Sequence, residues 1–419
     1  MKPTFTRYQL FVVALLAFLQ FTVVLDFMIL SPLGAFLLRD LSISPAQFGR
    51  VVSAYAFSAG ISGLVAAGFA DRFDRRKFLL FFYVGFVVGT LLCGLAPTYT
   101  MLLGARIVTG MFGGCIGAVT FAIVTDLFPL AMRGRVAGIV QSSFAASQVL
   151  GLPIGLYLAN HWGWHAPFLM IVGVAVVAGF AIFFFLKPIT GHLAAATGAT
   201  KNPLVHLLRT ATQPRYIAGF VATMLLSVGG FMLMPFGSTF VVQNLHLPVA
   251  KLPLLYVVNG AFAMLAGPIM GKLSDTIGKY QTFVFGSVVS IVIILWYTGL
   301  TVASFPYIVT LNVLLFMGIS GRMVSSFALG SALPAMSDRG AYMSINSSLQ
   351  SLSGGVAAWV AGLIVYQANP QAPLEHYNRL GFVAAGVSVI TVGLMYNVHR
   401  LVKASAAADA AVAEEAPVI

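Results

Sequence analysis

Long apolar runs recur along the chain and are separated by short polar segments. Each run has roughly the 20 residues that an α-helix needs to cross the hydrocarbon core of a bilayer. The runs do not alternate as barrel strands would, and helices satisfy their own backbone hydrogen bonds in lipid. The pattern predicts an all-α integral membrane protein with twelve transmembrane helices, at 8–38, 46–70, 78–96, 100–125, 135–160, 165–187, 215–242, 250–272, 281–300, 304–330, 342–366 and 377–401.

Two parts of this pattern repeat each other. The segment A-G-F-A-D-R-F-D-R-R-K at 67–77 follows the second run, and G-K-L-S-D-T-I-G-K at 271–279 follows the eighth. The first run of each half also repeats, since D-F-M-I-L-S-P-L-G at 26–34 is similar to G-F-M-L-M-P-F-G at 230–237. Such repeats are typical of transporters made of two related bundles. We therefore predict two pseudo-symmetric six-helix bundles at 1–187 and 215–403, a cytoplasmic linker with one short surface helix at 188–214, and a disordered tail at 404–419.

Charge indicates the orientation of these helices. The chain is 8% charged with a formal net charge of +12, and its basic residues lie in short loops, so we expect no nucleic-acid partner. With the N-terminus in the cytoplasm, most of the 23 basic residues fall on the inner side. The positive-inside rule then places both termini in the cytoplasm and the chain in the cytoplasmic (inner) membrane, surrounded by the lipid bilayer.

Signals for enzymatic or metal chemistry are sparse. Cys93 and Cys115 lie within apolar runs, where cysteine is usually a buried small hydrophobe. His161 and His165 flank two tryptophans, which is more typical of an interfacial aromatic belt than of a metal site. No G-x-x-x-x-G-K-[ST], H-E-x-x-H or G-x-S-x-G motif is present. We therefore expect neither an enzyme nor a cofactor or metal ion.

The repeated segment resembles the loop motif between helices two and three of the major facilitator superfamily, G-x-L-a-D-R-x-G-R-R. Ala67 and Asp74 stand where that motif has glycine, and the second copy keeps Asp275 without the paired arginines. The charged positions of the first copy match the motif, at Asp71, Arg72, Arg75 and Arg76.

Helices four and five also resemble this family. Helix four carries its arginine motif at Arg106, and helix five is similar to the Gly-Pro motif of the drug:proton antiporters, with Pro153 displaced by one position. The resemblance implies the major facilitator fold, a monomer, and proton-coupled export of a drug-like molecule, sugar or metabolite by alternating access. Close helix packing and kinks are the roles we expect for Gly110, Gly114, Gly151, Pro153 and Gly155.

Other functions stay open at this point. Uptake by proton symport and facilitated diffusion use the same fold, and a non-transporting membrane sensor is a more distant alternative. The substrate is a small molecule that the sequence does not identify.

Asp26 is the one acidic residue that lies well inside a predicted helix. A carboxylate in hydrocarbon is costly and is therefore a candidate for function. Arg106 lies at similar depth in helix four, so the two side chains can pair if both face the bundle interior. We predict that Asp26 couples transport to protons and that Arg106 modulates it. A purely structural contact between helices one and four is the alternative.

Arg322 in helix ten is the other intramembrane charge. It is a candidate to contact an anionic or polar group of the substrate, although its long side chain could instead reach the interface. Further polar groups predicted to line the substrate cavity are Gln141, Gln148, Asn259, Asn346 and Gln350.

The loop motif also has a mechanical interpretation. Its charges are candidates for a latch that holds the inner ends of the two halves together in the outward-open state. Anchoring of the topology by the same positive charges is the alternative. The predicted gating residues are Asp71, Arg72, Arg75, Arg76, Asp275, Asp126 and Arg133.

Overall fold

The structure is a computed structural model that describes residues 5–69, 72–190, 193, 203–335 and 338–415. These residues are almost entirely helical, which confirms the all-α prediction. Asp71, one of the predicted gating residues, lies outside the described ranges. The N-terminal half consists of α1 (Arg7–Ile29), α2 (Gly34–Asp40), α3 (Pro45–Phe69), α4 (Arg75–Gly94), α5 (Tyr99–Leu127), α6 (Leu130–Ala146), a π-helical segment (Ser147–Gly151), α7 (Leu152–Trp162) and α8 (Ala166–Phe185).

The C-terminal half repeats this order after one short helix in the linker. That helix, α9 (Pro203–Ala211), lies where the sequence predicted a short surface helix. The elements that follow are α10 (Pro214–Phe231), a 3-10 turn (Met234–Phe236), α11 (Gly237–Gln243), a second 3-10 turn (Val249–Lys251), α12 (Leu252–Ile277), α13 (Lys279–Thr298), α14 (Phe305–Ala332), α15 (Arg339–Ile364) and α16 (Tyr377–Glu415).

Eleven helical spans in the described ranges are long and apolar enough to cross a membrane. The remaining predicted span is α15, which has 26 residues but is rich in serine and glycine. It packs against α3 and α10, so protein covers much of a surface that lipid would otherwise meet. With α15 included, the chain has the predicted twelve-helix architecture.

The predicted first helix of each half is interrupted. We predicted continuous helices at 8–38 and 215–242, but α1 ends at Ile29 and α10 at Phe231. Pro32 and Pro235 lie just beyond these ends, where proline removes a backbone donor and clashes with the preceding turn. The fifth span widens into the π-helical segment directly before Pro153, which relieves the same conflict.

The last helix is longer than predicted. We expected a disordered tail from residue 404, whereas α16 continues to Glu415. Alanine dominates this stretch, and it is the residue with the highest intrinsic helix propensity. Local propensity therefore accounts for the longer helix.

The two halves repeat the same packing scheme. In the N-terminal half α4 packs against α5 and α8, and in the C-terminal half α13 packs against α14 and α16. In the same way α1 contacts α6 and α8, while α10 contacts α15 and α16. The sequence repeat thus corresponds to a repeat in helix packing.

The two ends of the bundle differ in their cores. We call the end at which α3 leads into α4 and α12 into α13 the motif end, and the other the opposite end. At the opposite end a single hydrophobic cluster joins residues of both halves. At the motif end each half has its own buried cluster, one around Tyr83 and Ile116, the other around Phe283 and Tyr342. The hydrophobic core that the two halves share therefore lies at the opposite end.

Contacts between the halves show how this end is closed. Ser31 donates a hydrogen bond to the carbonyl of Met234, and Ser238 donates one to the carbonyl of Ser31 at 2.9 Å. α3 and α15 approach closely, because a Cβ at Gly49 would lie 3.1 Å from Cα of Gly362. Any larger residue at this crossing would push the halves apart.

Candidate functional site

Asp26 and Arg106 form an ion pair inside the N-terminal half. Nη1 of Arg106 lies 2.8 Å from Oδ2 of Asp26, and the two side chains are 0% and 1% exposed. Asp26 lies in the last turn of α1, and Arg106 lies in the second turn of α5. The structure therefore makes the contact on which the sequence hypothesis depends. Whether the pair carries protons is a separate question.

Two further side chains hold this pair in place. Thr90 on α4 donates a hydrogen bond from Oγ1 to Oδ1 of Asp26 at 3.2 Å. Tyr55 on α3 places its ring 4.4 Å from Cζ of Arg106, which is a cation–π contact. Neither residue was a sequence candidate, because a threonine or tyrosine in an apolar helix has no pattern that distinguishes it from packing.

The pair is electrically balanced but costly to disturb. Desolvation of two charges is repaid only when each keeps its partner and its hydrogen bonds. Removing either partner would leave the other charge buried without compensation. A buried pair of this kind is stable in one arrangement and can change state only by separating or by moving a proton.

Glycines allow the two helices that carry the pair to pack closely against their neighbours. A Cβ at Gly114 on α5 would lie 2.6 Å from Cα of Ala59 on α3. A Cβ at Gly155 on α7 would lie 2.7 Å from Cδ1 of Ile29 on α1, and Gly110 and Gly151 make similarly close contacts. The predicted packing glycines therefore lie in tight helix contacts, as small residues in membrane bundles often do.

Arg322 is buried in the C-terminal half. Its side chain lies on α14, the residue is 4% exposed, and Cζ lies 6.0 Å from the centroid of the Phe283 ring. Neither Nε nor Nη2 has a hydrogen-bond partner among the described residues. The structure does not bring Arg322 to the Asp26–Arg106 pair, which lies in the other half.

The predicted cavity amides are spread over both halves. The backbone of Gln148, in the π-helical segment, lies against Gly260 of α12, so Gln148 and Asn259 are both near a contact between the halves. Oδ1 of Asn346 is buried without a hydrogen-bond partner, within the described residues. Gln141 and Gln350 are exposed. The structure thus groups Gln148 with Asn259 but does not gather all five.

The gating residues of the first loop copy make contacts within their own half. Nε of Arg75 lies 3.0 Å from Oδ2 of Asp126 at the end of α5. Arg76 donates to the carbonyl of Phe183, and Arg133 donates to the carbonyls of Phe128 and Thr125 at 2.9 and 2.8 Å. The other two described members, Arg72 and Asp275, are exposed.

Asp74, which stands where the family motif has glycine, has a structural role at the start of α4. Its Oδ1 accepts hydrogen bonds from the backbone N–H of Arg76 at 2.9 Å and of Ile189 at 3.0 Å. It therefore caps α4 and ties the segment after α8 to it. An aspartate just before a helical run is a capping signal that could have identified this role.

Comparison with known proteins decides the family. The model of the Major Facilitator Superfamily matches residues 16–358, and a second match covers 219–418. This chain belongs to the major facilitator superfamily. It is accordingly a multi-pass membrane transporter rather than an enzyme, and the predicted family is confirmed.

Relatives of this transporter include an uncharacterized transporter and a multidrug resistance protein. An uncharacterized MFS-type transporter of Bacillus subtilis, YceJ, is 24% identical over 400 residues, which cover 93% of this chain and 97% of the relative. Multidrug resistance protein 3 of the same organism is 30% identical over 146 residues, covering 35% of this chain and 28% of the relative.

A solved structure shows the same fold. A bacterial homolog to the human lysosomal transporter Spinster superposes with a TM-score of 0.77 at 15% identity, and the match covers 95% of this chain and 98% of that chain. At this identity the likeness concerns the fold alone.

Proposed function

We propose that this transporter exports a small organic molecule in exchange for protons, by alternating access across the cytoplasmic membrane. The observation that carries the proposal is the buried Asp26–Arg106 pair. Among the described residues Asp26 is the one acidic residue well inside a transmembrane helix, and intramembrane carboxylates often take part in proton relays. Both halves belong to one chain, so a monomer suffices.

The position of Asp26 connects it to the closure between the halves. α1 ends at Ile29, three residues after Asp26, and Ser31 in the following turn binds Met234 and Ser238 of the other half. Opening of the opposite end must break these bonds and free the end of α1. We infer that this movement changes the distance between Asp26 and Arg106 and exposes the carboxylate to protons.

The charge distribution supports an orientation. Arg72, Arg76 and Lys77 lie at the motif end, and the positive-inside rule favours the cytoplasm for such clusters. In that orientation the described state is closed toward the outside, and its halves have separate cores toward the cytoplasm. Asp26 then lies on the outer side of the pair of bundles, where protons would enter.

The test is transport by purified protein in liposomes that contain a pH-sensitive dye. An aromatic cation (ethidium), an aromatic carboxylate (benzoate) and a disaccharide (lactose) are added outside in turn. We expect at least one to cause a lumenal pH change in the wild type that is absent from Asp26→Asn. Asp40→Asn is the matched control, because Asp40 is partly exposed at the opposite end beside Arg39. Coupling that persists in Asp26→Asn would refute the role of this residue.

The sign of the pH change separates the remaining functions. Antiport makes the lumen more alkaline as substrate enters, whereas symport makes it more acidic. Facilitated diffusion moves substrate with no pH change. A sensor would show ligand-induced stabilisation in detergent without any flux.

A further inference from the structure

The C-terminal half buries a positive charge without a negative partner. No hydrogen bond or ion pair involves Arg322 within the described residues, although it is 4% exposed. Buried charges are normally paired, because an unpaired one loses its hydration without compensation. Arg322 therefore has unused donor capacity in this state.

The acids of this half are engaged or located elsewhere. Asp275 is exposed in the last turn of α12 at the motif end. Asp338, before α15, accepts a hydrogen bond from Tyr216 at 2.9 Å. Glu375 lies at the opposite end, paired through its backbone with Tyr366. None of these described carboxylates is a partner of Arg322.

Gly229 of α10 faces Arg322. A Cβ at Gly229 would lie 3.8 Å from Nη2 of Arg322 and 3.5 Å from Oγ of Ser388, which is ordinary contact. A Cβ at the adjacent Gly230, which is exposed, would have no atom within 4 Å. In the sequence repeat Gly230 corresponds to Asp26. Where the N-terminal half supplies a carboxylate of its own, the C-terminal half thus has a glycine, and the arginine that faces Gly229 has no acidic partner among the described residues.

The residues around Arg322 and Gly230 suit an amphipathic ligand. Ser325, one turn along α14 from Arg322, has a buried hydroxyl without a partner among the described residues. Phe231 follows Gly230 and lies 5.8 Å from Phe27 of the other half, centroid to centroid. A buried hydroxyl thus lies one turn from the arginine, and aromatic surface lies two residues along α10 from Gly229, where the two halves meet.

We propose that Arg322 binds the acidic group of the transported substrate, and that this substrate is a small organic carboxylate with an apolar body. The carboxylate approaches Arg322 on the side of Gly229 and accepts hydrogen bonds from its unpaired donors Nε and Nη2. The apolar body lies against Phe231 and Phe27. This inference rests on the transport function but not on proton coupling.

A carboxylate built into the chain tests the site without any ligand. In Gly229→Asp the new side chain starts 3.8 Å from Nη2 and can pair with Arg322. We expect its unfolding temperature in detergent to exceed that of Gly229→Asn, a neutral side chain of the same size, by about 2 °C or more. Equal unfolding temperatures would show that no anion reaches Arg322 and would overturn the proposal.

Ligand binding supplies the second test. Benzoate and hexanoate are titrated against the purified protein in detergent, with benzamide and hexanamide as neutral counterparts and the unfolding temperature as readout. We expect a saturable rise with the carboxylates only. Arg322→Gln should weaken it about tenfold or more, and Gly229→Asp should abolish it. Arg39→Gln, which removes an exposed arginine, should leave it unchanged.

Three results would overturn the proposal. These are equal shifts with the amides, an undiminished carboxylate shift in Arg322→Gln, and no shift with either carboxylate. Sodium chloride producing the same shift at equal concentration would also overturn it, because the site would then bind simple anions. The assay contains no pH gradient, so its result is independent of Asp26 and of the direction of transport.

Discussion

The two halves of this transporter each bury one intramembrane arginine, but they treat it differently. Arg106 pairs with Asp26, which also accepts a hydrogen bond from Thr90, and it lies over the ring of Tyr55. Arg322 lies near the ring of Phe283 and next to Gly229, without an acidic partner among the described residues. The difference teaches that a repeated scaffold can hold two kinds of polar site. One is a balanced ion pair, and the other is an arginine without an acidic partner among the described residues.

Breaking the balanced site should have the largest effect. Arg106→Gln leaves Asp26 buried without its partner, and we expect a loss of about 3–5 kcal/mol in the free energy of unfolding while the carboxylate stays ionised. The measurement is denaturation of the purified protein in detergent. Asp26→Asn combined with Arg106→Gln should recover most of the loss. A double variant as unstable as the single one would show that the arginine acts through packing.

Removing the hydrogen bond to the carboxylate should have a smaller effect. Thr90→Val keeps the shape of the side chain but removes the donor to Asp26. Hydrogen bonds to charged groups contribute about 1.5–3 kcal/mol, so the stability should fall by that order. Introduced into Asp26→Asn, the same substitution should cost less. An equal cost in both backgrounds would place the effect of Thr90 outside the ion pair.

The two copies of the loop motif offer another comparison. Asp74 caps α4 with its side chain, whereas Gly278 begins α13 with a φ of 103°, a conformation that favours glycine. Asp74→Ala should therefore cost about 1 kcal/mol and Asp74→Gly only a few tenths. Gly278→Ala should cost about 1–3 kcal/mol through backbone strain. Thermal unfolding of the three variants provides the check, and a harmless Gly278→Ala would contradict this account.

The smallest effect is expected at Gly230. Gly230→Ala adds a methyl group where no atom lies within 4 Å, so its unfolding temperature should match the wild type. Gly114→Ala is the contrasting variant, because its methyl group would lie 2.6 Å from Cα of Ala59. A marked loss of stability in Gly230→Ala would mean that another group already occupies the space at the Cβ position of Gly230.

Much of this architecture could be predicted from residue types alone. Lipid favours apolar helices, and opposite charges at similar depth in the same bundle favour pairing, so the twelve spans and the Asp26–Arg106 contact follow from simple rules. Thr90 and Tyr55 could not be predicted, because their role depends on which faces of α3 and α4 meet. The helix breaks after Ile29 and Phe231 could be predicted only in part from the sequence. Proline indicates a kink, but whether a helix bends or ends depends on contacts such as those of Ser31.

The low apolarity of α15 has a consequence for how the chain is assembled. α15 packs on α3 of the other half as well as on α10, and such protein contacts help to hold a helix rich in serine and glycine in the bilayer. Synthesis delivers α3 first, so we expect the N-terminal half to assist the retention of this late helix. If the chain were severed in its linker, the C-terminal piece should hold α15 in the bilayer better when the N-terminal piece is made alongside it.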